Sequence, residues 1–209
     1  MKGIRVVLAD DHTLVRRGLS SLLAADGSIS VVGEAGDGRE LARKVKSLQP
    51  DIALVDISMP LLNGLDAMLK IQRGSPGTRV IILSMFSDEA YIAQAWDHGA
   101  WGYVLKDEAP EQLIKAIHAV ASGEKCFPVD PMPAVIHDPL SPREREVLQL
   151  IAEGKKNSEI ADVMMRSLHT VRNHRARLMM KLGAHSAAEL VRAAEKLGVV
   201  RPASPKGQK

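Results

Sequence analysis

The sequence predicts an α/β domain built on a doubly wound, five-stranded parallel sheet, followed by a small all-α domain of four helices. In the first half of the chain, five short apolar runs alternate with helical patterns of about ten residues, which is typical of βαβ units. Three of these runs are apolar at nearly every position, as in parallel strands covered on both faces. In the second half, helix-capping signals follow a proline-rich stretch.

The elements of the first domain, residues 1–122, follow in a regular order. The strands are expected at residues 4–9, 30–35, 52–55, 80–83 and 103–105. The helices between and after them are expected at residues 14–25, 38–48, 65–73, 89–97 and 110–121. Each crossover between two strands should be right-handed.

Residues 123–139 are predicted to form a linker. Prolines at positions 128, 131, 133 and 139 fall within this stretch. Their spacing prevents a long uninterrupted helix and favours an extended, semi-rigid connection. At the other end of the chain, the polar tail of residues 201–209 is expected to be disordered.

The second domain, residues 140–200, is predicted to be a helix-turn-helix domain of four helices. The helices are expected from Ser141 to Gly154, at about residues 158–165, from Ser167 to about residue 182, and from Ser186 to near Gly198. Ser141 with Glu144, and Ser186 with Glu189, have the spacing of capping boxes, which mark helix starts. Gly154 is a typical C-terminal cap.

Charge is distributed unevenly between the two domains. Residues 1–122 carry 13 basic and 15 acidic side chains, whereas residues 123–209 carry 15 and 10. A basic second domain indicates an anionic polymer as its partner. No apolar run approaches the roughly 18 residues of a membrane span. The single cysteine, Cys126, is typical of a reducing cytosol, so we expect a cytoplasmic protein without a membrane partner.

Polar side chains stand at the C-terminal ends of the predicted strands, where open α/β sheets bind ligands. They are Asp10, Asp11, Asp56, Ser84 and Lys106. Any one of them could merely end a strand or cap a helix, but all five at one edge indicate a site. Carboxylates this close repel each other, and a Mg²⁺ ion bound to their oxygens relieves the repulsion. Beside such an ion, a carboxylate can accept a phosphoryl group.

The motifs of this edge resemble the receiver domain of two-component response regulators, which has a flavodoxin-like fold. The matching motifs are Asp10-Asp11, Asp56 with Met59-Pro60 and Gly64, Ser84, and Gly102-Tyr103-Val104-Leu105-Lys106. The resemblance implies that Asp56 is the phosphoacceptor. The Mg²⁺ ligands that it implies are Asp10, Asp11, Asp56 and the backbone carbonyl of Ser58. Lys106 would bind the phosphoryl group, and Ser84 and Tyr103 would form the switch pair.

Trp96 and Trp101 flank the junction between the fourth helix and the fifth strand. They either pack at the domain edge or form an exposed contact for a partner or a second subunit, since tryptophan is enriched at binding hot spots. Receiver domains usually hold a small residue at the position of Trp101. This residue is therefore a departure from the family, beside the expected switch.

The third helix of the second domain is strongly basic. Between Val163 and Ala188 there is no acidic residue, and the basic side chains of this stretch are Arg166, Arg172, Arg175, Arg177 and Lys181. Such a helix suits a groove lined with phosphates. The domain resembles the LuxR-type helix-turn-helix through Leu140–Leu148 (LSPREREVL), Ile151–Gly154 (IAEG), Asn157–Ala161 (NSEIA), Thr170-Val171, His174 and Lys181-Leu182-Gly183. Together with the receiver motifs, it indicates a NarL/FixJ-type response regulator.

The third helix of this domain corresponds to the recognition helix of the motif, whose N-terminal end enters the major groove. The expected DNA contacts are Thr170, Arg172, Asn173, Arg175, Ala176, Arg177 and Lys181. Arg172 and Asn173 are predicted to read guanine and adenine. Thr170, Arg177 and Lys181 are predicted to contact phosphates. Val171, His174, Leu178 and Leu182 recur at helical spacing and should face the domain core.

Arg166 and Ala176 depart from the usual pattern of this motif. Arg166 stands where a buried aliphatic residue is usual, so either it extends towards water or the turn is looser. Ala176 stands where relatives carry a longer reader, and it can contact only a thymine methyl group or a sugar. Sequence preference is therefore expected to depend on Arg172 and Asn173.

These expectations combine into a phosphorylation-controlled transcription regulator. A sensor histidine kinase would phosphorylate Asp56, and two copies would bind paired half-sites of double-stranded DNA, with RNA polymerase as a further partner. We expect no enzyme beyond self-phosphorylation and slow dephosphorylation, because phosphatases of the haloacid dehalogenase type need an aspartate where this chain has Ser58. The alternative is a DNA-binding regulator controlled by partner or ligand binding, with a receiver that is not phosphorylated.

Overall fold

The computed structural model of the chain describes residues 3–85, 87, 89–129 and 140–200. Its contacts divide the chain into two compact units, Met1–Ile136 and His137–Lys209. Residues 130–139 of the predicted linker lie outside the described residues, as does the predicted disordered tail, residues 201–209.

The first unit is built on one parallel sheet. Its strands are β1 (Ile4–Ala9), β2 (Ile29–Ala35), β3 (Ile52–Asp56), β4 (Arg79–Ser84) and β5 (Gly102–Leu105). Their order across the sheet is β2-β1-β3-β4-β5, and neighbouring strands are parallel. The predicted doubly wound, five-stranded sheet is therefore confirmed.

Helices cover both faces of this sheet. They are α1 (Thr13–Ala25), α2 (Gly38–Leu48), α3 (Gly64–Gly74), α4 (Glu89–Asp97) and α5 (Pro110–Ser122). One buried cluster contains Leu23 of α1 and Ile117 of α5, and the other contains Leu41 of α2. Val6 and Val7 of β1 belong to different clusters. Because successive side chains enter opposite cores, this strand has to be apolar at nearly every position.

The register of the strands brings their C-terminal ends to one edge of the sheet. The pairing of β1 with β3 makes Asp10 and Asp56 neighbours, since each lies at the end of its strand. The pairing of β4 with β5 sets Ser84 beside Leu105, and Lys106 follows directly. The polar residues selected from the sequence thus meet at a single edge, as parallel strands require.

The chain returns to the sheet after α5. Gly123 ends this helix in the left-handed conformation, with φ of 100°, which glycine adopts without strain. The N–H of Cys126 then donates to the carbonyl of Trp101 (2.9 Å), and the N–H of Tyr103 donates to the carbonyl of Cys126 (2.8 Å). The first residues of the predicted linker therefore form a parallel bridge to β5 at Gly102.

The second unit is helical within the described residues. Its helices are α6 (Pro142–Ala152), α7 (Asn157–Met164), α8 (Leu168–Leu182) and α9 (Ala187–Lys196). Ser141 and Glu144 form the reciprocal capping box of α6. The hydroxyl oxygens of Ser167 and Ser186 accept N–H groups in the first turns of α8 and α9. The predicted four-helix domain is confirmed, and local capping explains where its helices begin.

Glu144 joins α6 to α8. Its buried carboxylate accepts hydrogen bonds from the N–H of Ser141 (2.8 Å), the hydroxyl of Ser141 (2.9 Å) and the ammonium of Lys181 (2.8 Å). Burial acts to raise the pKa of Glu144, but the hydrogen bonds from Lys181 and Ser141 outweigh it and hold the pKa at about 2, below the ordinary value of 4.5. Because folding lowers this pKa, the carboxylate stabilises the unit above pH 4.5, and its contribution is lost as the pH falls towards 2.

Substitution Glu144→Gln should lower the free energy of unfolding of the second unit by about 1–3 kcal/mol at neutral pH, because Lys181 loses its charged partner. Glutamine does not titrate, so the difference from wild type should shrink as the pH falls from 4.5 towards 2. Amide hydrogen exchange of α6 in the full chain measures both effects. Asp162→Asn, an exposed position of α7, is the charge-matched control. A difference that stays constant with pH would contradict the role of the charge.

Candidate functional site

Two buried carboxylates and one partly exposed carboxylate lie at the C-terminal edge of the sheet. Asp10 and Asp56 are buried, whereas the Asp11 side chain is 33% exposed. The N–H of His12 donates to Asp10 Oδ1 (2.7 Å), and the guanidinium of Arg16 donates to the Asp10 carbonyl (2.5 Å). Asp10 is therefore held from the side of α1 before any ligand arrives.

The ammonium of Lys106 lies between the two buried carboxylates. Its Nζ is 2.7 Å from Asp10 Oδ2 and 2.8 Å from Asp56 Oδ2. The backbone N–H of Lys106 donates to the carbonyl of Ser84 (2.8 Å), which fixes the start of this side chain beyond β5. Two negative charges at the edge of a core are costly when unpaired, so Lys106 is what allows both to be buried.

The pKa of Asp56 is raised above its ordinary value of 3.8. Burial is the main cause, and the charge of Asp10 adds to it. Lys106 and the N–H of Ser58, 3.3 Å from Asp56 Oδ1, act in the opposite direction without cancelling it. The ionised carboxylate is therefore less favourable here than in water, and added positive charge stabilises it.

His12 belongs to this edge, although the sequence analysis did not select it. Its Nδ1 lies 2.7 Å from Asp11 Oδ1 and 3.5 Å from Asp10 Oδ1. Asp10, Asp11, His12 and Asp56 each offer a ligand atom, and these atoms lie within 4.8 Å of one another. In the sequence, its position directly after an acidic pair at a strand end was the signal that pointed to it.

The donors of this cluster suit a hard divalent cation. Three of the four groups are carboxylates, and Mg²⁺ prefers oxygen ligands of this kind, with waters in its remaining positions. The ammonium of Lys106 contacts two of the same carboxylates, so a cation and Lys106 have to share them. Ser58 lies in the loop after β3, and the ligand role predicted for its carbonyl stays a prediction.

The loop between β3 and α3 folds back onto Asp56. The N–H of Gly64 donates to the carbonyl of Ile57 (2.9 Å). A Cβ atom added to Gly64 would lie 2.2 Å from the backbone carbonyl oxygen of Asp56. Glycine is therefore required for the close approach that closes this loop beside the acidic edge.

Ser84 and Tyr103 are buried on neighbouring strands. Ser84 is the last residue of β4, and Tyr103 of β5 is 2% exposed. Tyr103 is among the largest fully buried side chains, so its ring lies inside the first unit in this structure. The switch role of the pair stays a prediction, and the structure represents the arrangement with the ring inward.

α8 turns most of its predicted DNA-contact residues towards solvent. Arg172, Asn173, Ala176, Arg177 and Lys181 are exposed, whereas Thr170 and Arg175 are partly buried. On the other side of the helix, Val171 and Leu178 are fully buried and His174 is partly buried, as the spacing predicts. Arg166 is exposed, as expected for a charged side chain that extends towards water.

Comparison with known proteins decides the family. Residues 6–118 match the response regulator receiver domain, and residues 138–194 match the luxR family of bacterial regulatory proteins. The chain belongs to the response regulators with a LuxR-type DNA-binding domain. Members of this family are DNA-binding regulators of two-component systems and not conventional enzymes.

Relatives of similar length match both units of the response regulator. Transcriptional regulatory protein MctR of Rhizobium johnstonii is 39% identical over 207 residues, which cover 94% of this chain and 95% of MctR. Oxygen regulatory protein NreC of Staphylococcus aureus is 39% identical over 206 residues, covering 90% and 95%. A solved structure of RcsB from Salmonella enterica serovar Typhimurium is 32% identical, with a TM-score of 0.63, and the match covers 93% of this chain and 99% of RcsB. In that structure RcsB is bound to promoter P1flhDC in the presence of the phosphomimetic BeF3−.

Some predicted DNA contacts of the response regulator already have partners within the second unit. The guanidinium of Arg175 donates to Asn157 Oδ1 (3.1 Å), and Asn173 Nδ2 lies 3.2 Å from His169 Nε2. Lys181 is bound to Glu144, as described above. These contacts hold the three side chains in place within the second unit, and their DNA-binding roles stay predictions. Among the described residues, none of the helices has the length and apolar character of a membrane crossing.

Removal of the Asp56 charge should leave the unphosphorylated regulator at least as stable at neutral pH. Folding raises the pKa of Asp56, so the native state holds this proton more tightly, and stability is lost as the pH rises from 3.8 through the raised pKa. Asp56→Asn removes that loss. Lys106→Met instead leaves two carboxylates without their cation and should lower the free energy of unfolding by about 3 kcal/mol. Urea denaturation measures both variants, with the exposed Asp107→Asn as control. A clear loss of stability in Asp56→Asn would contradict this account.

Proposed function

We propose that this response regulator is a transcription regulator whose DNA binding is controlled by phosphorylation of Asp56. The observation that carries the proposal is the contact of Asp56 with Lys106 beside Asp10 and Asp11. A carboxylate nucleophile, a fixed ammonium and an acidic cluster for a cation are the parts that phosphoryl transfer to an aspartate needs. The receiver match over residues 6–118 supports the same assignment.

In the proposed reaction, a carboxylate oxygen of Asp56 attacks the phosphorus of a phosphohistidine on a sensor histidine kinase. The O–P bond forms as the N–P bond breaks, and the imidazole nitrogen leaves with the electron pair and takes a proton from water. Asp10, Asp11, Asp56 and the carbonyl of Ser58 would hold Mg²⁺, which supplies positive charge to the phosphoryl oxygens when bound. Lys106 would turn from the Asp56 carboxylate to a phosphoryl oxygen, a charge-assisted hydrogen bond.

The modification would be read by Ser84 and Tyr103. The Ser84 hydroxyl, at the end of β4, would donate to a phosphoryl oxygen and move towards Asp56. Tyr103 would then be held inward, in the buried position it has in this structure. Phosphorylation would thus favour one arrangement of this pair over another. Slow hydrolysis of the acyl phosphate would reset the regulator, without turnover of any other substrate.

The second unit would bind double-stranded DNA through α8. Arg172 and Asn173 would read base edges in the major groove, and Ala176 would contact a thymine methyl group or a sugar. The remaining contacts, to phosphates, would come from Thr170, Arg175, Arg177 and Lys181. The solved complex of RcsB with a promoter supports this mode for a relative that matches 93% of the chain.

The regulator would act as a homodimer in the cytoplasm. Two copies would occupy paired half-sites, because a helix-turn-helix dimer mirrors the symmetry of its operator, and α9 would provide a dimer surface on DNA. Its other protein partners would be the sensor histidine kinase and RNA polymerase, and we expect no membrane partner.

Incubation of the regulator with acetyl phosphate and Mg²⁺ should add the mass of one phosphoryl group to the intact chain. Asp56→Asn should abolish the gain because the nucleophile is absent, and Asp11→Ala should abolish it because Mg²⁺ is no longer bound. Asp107→Asn, exposed beside Lys106, is the matched control and should gain mass normally. Intact mass spectrometry measures all four proteins. No gain in the wild-type protein would favour the alternative, a regulator controlled by partner or ligand binding, and an undiminished gain in Asp56→Asn would show that Asp56 is not the phosphoacceptor.

Substitution of the predicted base readers should reduce sequence preference. Arg172→Ala and Asn173→Ala should each weaken operator binding by about 1–3 kcal/mol and bring it closer to the affinity for random DNA. Arg177→Ala should instead weaken binding to the operator and to random DNA equally, because a phosphate contact carries no sequence information. It should also reduce the dependence of the binding affinity on salt concentration. Fluorescence anisotropy with both duplexes at several salt concentrations separates the two classes. An unchanged affinity ratio in Asn173→Ala would remove its reading role.

A further inference from the structure

The sheet of the first unit has an additional edge segment, residues 124–127, that follows α5. Cys126 is hydrogen-bonded on both sides of Gly102, to the carbonyl of Trp101 (2.9 Å) and the N–H of Tyr103 (2.8 Å). A Cβ atom on Gly102 would lie 3.0 Å from the carbonyl oxygen of Cys126. The absence of a side chain at Gly102 therefore permits the close pairing of this segment with β5.

Side chains of the edge segment are anchored on α4. The ring of Phe127 meets the ring of Trp96 edge to face, with centroids 5.1 Å apart at 70°. The ammonium of Lys125 lies 3.5 Å from the centroid of the same indole ring. Such edge-to-face and cation–π contacts favour one position of the segment over a free chain. Trp96 thus packs at the domain edge against residues that the sequence analysis assigned to the linker.

Trp101 fixes the other side of the same edge. The guanidinium of Arg79 lies 4.5 Å from the centroid of its ring. Arg79 also donates to the carbonyls of Val120 (2.5 Å) and Ala121 (2.8 Å) at the end of α5. The position where the chain leaves α5 is therefore tied to the start of β5, which keeps the edge segment within reach of its partners.

The edge segment shares a hydrophobic core with Tyr103. Phe127 packs against the buried cluster that contains Tyr103, together with Ile92 and Ala95 of α4. If the Tyr103 ring turned outward, this cluster would lose a large side chain, and a void on that scale weakens the packing of its neighbours. The N–H of Tyr103 also donates to the edge segment directly. Burial of Tyr103 and pairing of the segment therefore support each other.

We propose that the edge segment transmits the state of the acidic site to the linker. This inference rests on the proposed phosphorylation of Asp56. With Tyr103 held inward, residues 124–127 stay paired with β5, and the tether to the second unit begins after Phe127. With Tyr103 released, the segment detaches, and the tether begins at Gly123. Phosphorylation thereby keeps residues 124–127 on the sheet and shortens the stretch of chain that tethers the DNA-binding unit.

Hydrogen–deuterium exchange of the full chain, with and without acetyl phosphate and Mg²⁺, tests this mechanism. The amides of Tyr103 and Cys126 should exchange about tenfold more slowly after phosphorylation, a fold-change within the range of ordinary coupling between two sites. A mass gain without slower exchange would overturn the edge-segment proposal and leave the proposed function standing. No mass gain at all would overturn the proposed function, and the transmission role with it.

Variants of the edge segment test the consequence for DNA binding. Phe127→Ala should gain a phosphoryl group like wild type, exchange rapidly at Cys126 in both states, and lose most of the increase in DNA affinity on phosphorylation. Lys125→Met removes only the cation over Trp96 and should reduce the affinity increase to a smaller extent. This second variant keeps the test valid if Phe127→Ala misfolds. Val129→Ala, exposed beyond the segment, is the matched control. An undiminished affinity increase in Phe127→Ala would overturn the proposal.

Discussion

The contact on which the first unit depends is the ammonium of Lys106 between the carboxylates of Asp10 and Asp56. Pairing of β1 with β3 holds these carboxylates side by side, so repulsion between them cannot be relieved by separation. Lys106 reaches them from the end of β5 and neutralises part of their charge. Any change in the charge of Asp56 therefore acts on Lys106, and through it on the strand that ends there.

The rest of β5 lies between this charge balance and the edge segment. Tyr103 lies inside the core, and its N–H is bound to Cys126 of the edge segment. Close-packed cores respond to a lost side chain by rearrangement of discrete neighbours and not by gradual deformation. Lys106 thus follows directly after β5, the proposed switch residue Tyr103 lies within the strand, and the edge segment pairs along its side.

The second unit has its own, local determinants of stability. Helices α6, α8 and α9 begin at serine caps, and α7 begins where the N–H of Lys156 donates to the carboxylate of Glu159 (2.6 Å). The Glu144–Lys181 pair ties the first of them to the basic helix α8. Because this pair and the buried Val171 and Leu178 fix one side of α8, the opposite side can expose a row of basic residues without losing its orientation. The acidic and basic halves of the sequence therefore correspond to separately stabilised units.

The sequence by itself determined the order of the elements, the two-part architecture and the residues at the strand ends, because apolar periodicity, capping boxes and strand-end carboxylates are local patterns. It also selected Asp10, Asp56, Ser84 and Lys106 as one set. Only the tertiary structure decided that Lys106 itself occupies the space between the carboxylates, where the sequence suggested Mg²⁺, and that His12 joins them. It also decided that residues 124–127 pair with β5, because that pairing depends on contacts with Trp96 and Gly102, more than twenty residues earlier in the chain, which no local pattern encodes.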